Sequence, residues 1–262
     1  MSESSLSIGW TELKSEVGWY LGMGRGVDKA WTASQLSEIS LIVQSGIRRV
    51  YYPPAVSTDT LGFEWSWLRP TATIAISVDG GYDYDLPDDF GRLIGELQYP
   101  AAEYRNPIPL ISVGKLLSLR AETDLTGAPK YAATRYKTST GAAGQKQEIL
   151  FWPTPDESWS LLYEYEAYSG ALSTTYPYPL GGMQLAELYT ESCLAVAESR
   201  ITDEIGQHAQ QYTALLVDAI ARDRKRGAQT YGQMGQPRGE DIEFHRGYHG
   251  STYDITYKGN SI

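Results

Sequence analysis

The chain has 262 residues, of which 42% are hydrophobic and 21% charged, with a formal net charge of −10. That length holds one large domain or two small ones and buries enough surface to fold without a disulfide or metal staple. The acidic balance disfavours a sequence-specific DNA binder, which would neutralise phosphates with Lys and Arg, and it disfavours attachment to an anionic membrane.

Residues 1–9 carry no basic n-region and no apolar h-region, so no signal peptide is expected, and no apolar run approaches the roughly 20 residues of a membrane span. The first amphipathic segment runs over 12–21, with Thr11 as its cap and Leu13, Val17 and Leu21 on one face. Gly22, Gly24 and Gly26 break it. These glycines follow a helix instead of a strand, and no Gly-Lys-Ser/Thr accompanies them, so they read as a linker and not as a phosphate loop. Thr32 and Gln35 form a capping-box pattern, and Leu36, Ile39, Val43, Ile47 and Val50 then recur at helical spacing until Pro53 and Pro54.

From residue 63 the period changes to two. Ile74, Ile76 and Val78 alternate with polar or small residues, as do Tyr82, Tyr84 and Leu86, and Leu93, Leu97 and Tyr99 fit a further strand. A short helix is expected over 113–120, and strands over 131–137 and 147–152. In the last strand Trp159, Leu161, Tyr163, Tyr165 and Ala167 share one face, opposite Glu164 and Glu166. Residues 153–156 (PTPD) read as a hairpin turn between the last two strands. The short spacing predicts a small antiparallel sandwich or barrel.

Helical period returns after Gly181 and Gly182, first with Leu185, Tyr189, Cys193 and Val196, then, past a break at 202–206, with Tyr212, Leu215, Leu216, Ala219 and Ile220. Arg222, Arg224, Lys225 and Arg226 suit the last turn, and Gly227 suits the stop. The two helices are expected to form an antiparallel hairpin. The fold class is therefore α+β. Helices at 1–62 and 179–227 make a bundle, the β-rich part occupies 63–178, and an extended arm follows at 228–262. The bundle core is expected from Leu36, Ile39, Val43, Ile47, Leu185, Tyr189, Val196, Leu215 and Leu216.

Candidate chemistry is sparse. Cys193 is the only cysteine. It sits among apolar helix residues, so it reads as a buried inert thiol in a chain assembled in a reducing compartment. His245 and His249 stand four apart, but Gly247 interrupts them and no HExxH pattern exists, so no metal site is expected. Asp83, Asp85, Asp88 and Asp89 miss the EF-hand spacing and read as a solvated face, like Glu164 and Glu166. No nucleophile elbow is present, and neither a catalytic residue nor a cofactor is assigned. The chain has 20 Tyr and 7 Trp against 4 Phe. That excess suits either interfaces or strands. In the arm, Phe244, His245, Tyr248, Tyr253, Ile255, Tyr257 and Ile262 stand among glycines, a composition suited to ordering on a neighbour.

Seven stretches in order and spacing carry a family resemblance: FEWSWLRP at 63–70, YDLPDDF at 84–90, YAATR at 131–135, FWPTPD at 151–156, LYEY at 162–165, PLGG at 179–182 and ESCLAVAE at 191–198. Over roughly residues 10–226 the chain resembles the head-to-tail adaptor proteins of tailed bacteriophages. The resemblance implies a helical bundle with a β-domain, no catalysis, and a homo-oligomeric ring, commonly twelve-fold, beneath the portal protein. It further implies a downstream tail or nozzle protein as partner and double-stranded DNA passing through the lumen without specific binding. The location implied is the neck of the virion, and the C-terminal arm is implied to clasp the portal. A stopper or tail-terminator protein, a carbohydrate- or receptor-binding tail module, and a polysaccharide-degrading enzyme using Asp88 and Asp89 are the alternatives.

Overall fold

The computed structural model describes residues 4–26, 30–55, 63–78, 81–103, 105–123, 125–137, 145–202 and 206–226, and the backbone at 256–257 and 260–261. The chain divides into two units, Met1–Arg224 and Lys225–Ile262. The first unit is α+β and contains a helical body and two three-stranded antiparallel sheets.

The helical body is built from α1 (Trp10–Tyr20), α2 (Ala33–Tyr51), α4 (Ala186–Thr202) and α5 (Gln207–Arg226). Gly9, not Thr11, caps α1. Its extended backbone N–H donates to Glu12 Oε2 at 2.7 Å, and Trp10, the first helical residue, is already buried. The helix therefore begins two residues before the expected start. On α2 the capping box is present: Thr32 Oγ1 accepts from Gln35 N–H at 3.3 Å, and Gln35 Oε1 accepts from Thr32 N–H at 3.0 Å.

Ile39, Ile42, Val43, Ile47, Val50 and Tyr51 of α2 are buried against Leu188, Tyr189, Cys193, Val196 and Ala197 of α4 and against Tyr212, Leu216, Ala219 and Ile220 of α5. Leu185 is buried just before α4, and Leu215 lies half-buried at the margin. Leu36 departs from the expected core, being 40% exposed. The cause is the register of the crossing. Gly46 meets Cys193 and Tyr51 meets Tyr189, so the helices run antiparallel and α4 ends at Thr202 about where Leu36 would reach it.

Chain return from α4 to α5 is held by polar contacts. The Glu198 carboxylate accepts from Ala209 N–H at 3.4 Å, and His208 Nδ1 lies 2.8 Å from Glu191 Oε2. A Cβ on Gly206 would fall 1.9 Å from Glu198 Oε1, so a larger residue there would make the carboxylate shift from the start of α5, where the helix dipole favours negative charge. The expected stop at Gly227 lies outside the described residues.

One sheet is ordered β1 (Thr71–Ile76), β6 (Trp159–Ala167), β3 (Phe90–Gln98), and the other β2 (Asp83–Asp85), β5 (Gln147–Trp152), β4 (Tyr131–Tyr136). Their inner faces share a core of Ile74, Ile76, Phe90, Leu97, Ala132, Ile149, Phe151 and the inward residues of β6. β6 alternates buried and exposed along its length, as its sequence predicts. A short helix, α3 (Val113–Glu122), is capped by Ser112 and sets Leu116 against Ala133 and Leu150.

Three expectations fail in the β region. Val78 is exposed, because β1 ends at Ile76. β5 and β6 lie in different sheets, so the turn at 153–156 carries the chain between layers and closes no hairpin. Trp65 and Leu68, in the stretch where the two-residue period begins, pack in the helical core, as does Leu172. Bridges from Leu97 to Ile108 and from Leu110 to Ala132 join the β3 and β4 edges. Among the described residues no ladder joins β1 to β2.

In the second unit, β7 (Thr256–Tyr257) pairs antiparallel with β8 (Asn260–Ser261). Phe244, His245, Tyr248, Tyr253, Ile255 and Ile262 lie outside the described residues, and of Tyr257 only the backbone is described.

Candidate assembly surfaces

The stretches at 63–70 and 179–182, far apart in sequence, meet at the end of α2, and the stretch at 191–198 crosses α2 farther back, where Cys193 faces Gly46. Trp65 is 1% exposed, and its Nε1–H donates to Val50 O at 2.7 Å, satisfying a carbonyl that the helix end leaves without a partner. Phe63 packs edge-on against Trp65, and Trp65 lies beside Trp67. Trp67 meets Tyr51, and Tyr51 meets Tyr189 edge-on. The two tyrosines clamp one residue between them: Leu180 N–H donates to Tyr51 Oη at 2.9 Å, and Tyr189 Oη–H donates to Leu180 O at 2.6 Å. Gly181 adopts φ +92°, and a Cβ there would stand 2.4 Å from Leu185 Cδ1, so the PLGG turn requires glycine.

Asp223 of α5 ties the hub down from the other side. Its carboxylate accepts from Ser66 N–H at 2.9 Å and from Ser66 Oγ–H at 2.6 Å. This buried acid went unnoticed in sequence because it stands among the four cations at the end of α5.

On the surface beside the hub, Tyr178, Leu180 and Met183 are exposed. The N-terminal segment runs past them. Trp10 N–H donates to Pro177 O at 2.6 Å, Ser4 Oγ lies 3.5 Å from Met183 Sδ, and Leu6 is exposed. This apolar patch rests on the rigid turn that the tyrosines hold.

Several carboxylates of the β region are engaged in ion pairs. Asp85 pairs with Lys137 at 2.5 Å, Asp88 with Lys146 at 2.8 Å, and Glu166 with Arg92 at 2.9 Å. Asp89 is exposed like the rest of the expected row, and it also accepts from Tyr165 Oη–H at 3.1 Å and so anchors a core tyrosine. Arg135 pairs with the buried Glu148 at 2.5 Å across β4 and β5. Burial pushes the Cys193 thiol up to about 12, so it is held as a neutral group. Residues 225–262 contain five basic and four acidic residues, which places a net charge of −11 on residues 1–224.

The tyrosine excess resolves into two populations. Tyr52, Tyr136, Tyr168, Tyr176 and Tyr178 are exposed. Others are internal ties: Tyr212 Oη–H donates to Arg49 O at 2.8 Å, Tyr99 Oη–H to Pro129 O at 2.7 Å, and Tyr84 Oη–H to Ser77 O at 2.7 Å. Desolvation raises Tyr99, Tyr165 and Tyr212 to about 12, with Asp89 adding to the shift at Tyr165. A raised tyrosine pKa means the folded state holds more protons than the unfolded one between about pH 10 and 12, so stability is intact below pH 10 and falls as pH rises through that window. Denaturation followed at pH 9 and pH 11 should show this loss. Equal stability at both would remove the internal role of these hydroxyls.

Residues 10–237 match the family model described as SU10 adaptor protein. No curated protein matches the chain.

Proposed function

The chain belongs to the SU10 adaptor protein family, a structural component of bacteriophage virions, and from that premise we propose that it forms a twelve-fold ring beneath the portal, joining capsid to tail. The carrying observation is the extent of the match, which takes in the helical body and both sheets. The ring subunit needs two lateral and two axial contact faces. The patch of Leu6, Tyr178, Leu180 and Met183 supports the reading as one of them.

The lumen is acidic in this reading. A wall drawn from a unit of net charge −11 repels phosphates, so double-stranded DNA slides past unheld. The downstream contact is with a tail or nozzle protein, and the C-terminal arm carries the portal contact through Phe244, His245 and Tyr248.

Truncation after Gly227 tests the arm. The helical body and sheets should melt as in the full chain, portal binding should be lost, and heads assembled with the truncated protein should leak DNA. A truncated chain that joins the portal with undiminished affinity would place the contact on the helical body instead.

A further inference from the structure

Among the described residues, β1 and β2 are open strand edges of the first unit, and they differ in chemistry. β2 presents Asp83 and Asp85, and charged side chains on an edge oppose the addition of a further strand. β1 reads Thr-Ala-Thr-Ile-Ala-Ile, with no charge and no proline. Its outward groups follow from its register. Tyr165 N–H donates to Pro70 O at 3.1 Å, so hydrogen-bonded pairs with β6 fall at Ala72, Ile74 and Ile76. The backbone groups of Thr71, Thr73 and Ala75 therefore point to the outer edge. Among the described residues no hydrogen bond uses them.

At the other end of the chain, β7 carries a matching edge. Two residues, Lys258 and Gly259, separate Tyr257 from its partner Asn260. In such a hairpin the pair flanking the turn exchanges backbone bonds, so Thr256 turns its own N–H and C=O away from β8. A two-stranded ladder of this length is not stable by itself and gains from a third strand.

We propose that the outer edge of β1 receives the C-terminal strand of a second copy, antiparallel, with Thr256 opposite Thr73. This inference rests on the ring reading, in which each copy offers a different surface to the next. The register brings outward backbone groups face to face. It sets the backbone of Tyr257 opposite that of Ala72. The C-terminal segment is thereby divided: Phe244, His245 and Tyr248 stay with the portal, and the strand around Thr256 locks the adjacent subunit.

Cysteine cross-linking of the full chain tests the register. Opposed residues in a hydrogen-bonded antiparallel pair stand about 5.5 Å apart at Cα, within disulfide reach, and Cys193 is buried and does not compete. A mixture of Thr73→Cys and Thr256→Cys proteins should give a covalent dimer on oxidation, and the double variant a ladder of multimers. In parallel, Thr73→Pro, which removes only an outward N–H, should melt like the parent and assemble about tenfold more weakly, as should Thr256→Pro. Closure of the disulfide within one chain overturns the exchange. Rings without any cross-link, or Thr73→Pro rings forming at the parent concentration, overturn it and leave the ring reading standing. Monomer throughout with no cross-link overturns both.

Discussion

Gly46→Val should unfold the helical body at a temperature where the parent is stable. A Cβ on residue 46 would meet Cys193 Sγ at 2.6 Å, Cys193 Cα at 2.7 Å and Cys193 N at 2.9 Å. Two of those atoms are backbone and cannot rotate away, so α2 and α4 must separate. Separation also breaks the hydrogen bond from Ser192 Oγ–H to Gly46 O at 2.8 Å, which is buried. Overpacking costs about 1–3 kcal/mol and lost buried hydrogen bonds about 1–3 kcal/mol more, so a drop of roughly 10 °C in Tm is expected. Gly114 supplies the control. It lies in α3 with nothing within 4 Å of its Cβ position, so Gly114→Ala should leave stability unchanged or raise it by a few tenths of a kcal/mol. If both glycine substitutions prove neutral by thermal denaturation, the close crossing of α2 and α4 is wrong.

Trp65→Ala should cost about 3–5 kcal/mol, the range for emptying a buried aromatic site. The indole fills the space between Phe63 and Trp67 and binds Val50 O, so its loss opens a cavity and strands a helix-end carbonyl together. Trp65→Phe separates the two contributions. It refills most of the volume but leaves the carbonyl unpaired, and should cost about 1–3 kcal/mol. Because the hub holds Leu180 through Tyr51 and Tyr189, Trp65→Ala should also lower assembly under conditions where the chain remains folded. Chemical denaturation of the three proteins gives the order directly. A Phe variant as unstable as the Ala variant would mean the hydrogen bond, and not the volume, dominates.

The secondary structure was legible wherever a side-chain period survived intact. Ile39, Val43 and Ile47 mark the buried face of α2, Thr32 and Gln35 its start, and the alternation from Trp159 to Ala167 marks β6. Period fails where the partner decides the outcome. Phe63, Trp65 and Trp67 alternate like a strand, yet they pack on helices through a 3-10 turn at Ser66–Leu68. Leu36 has the right spacing yet is exposed, because α4 ends about where Leu36 would meet it. Gly46 reads as an ordinary weak point in a helix until Cys193 is known to lie across from it.

The candidate surfaces were legible only in part. The seven family stretches were visible as words, but their meaning is spatial. Two of them, at 63–70 and 179–182, converge on the tyrosine clamp around Leu180, beside which the apolar patch is exposed. Asp89 is solvated as its sequence suggests, but its hold on Tyr165 was not legible because the partner lies 76 residues away. Composition raised the question of what so many tyrosines do. Only their hydroxyl partners divide them into internal ties and exposed contacts.

The central claim is that this chain works as a ring subunit on the portal. Single-particle images of the purified chain, alone and mixed with its portal, test it most directly. The account predicts a closed ring stacked coaxially on the portal, twelve copies to each portal ring, with density from the C-terminal segment reaching portal and neighbour. A chain that stays a lone monomer and never joins the portal would contradict it.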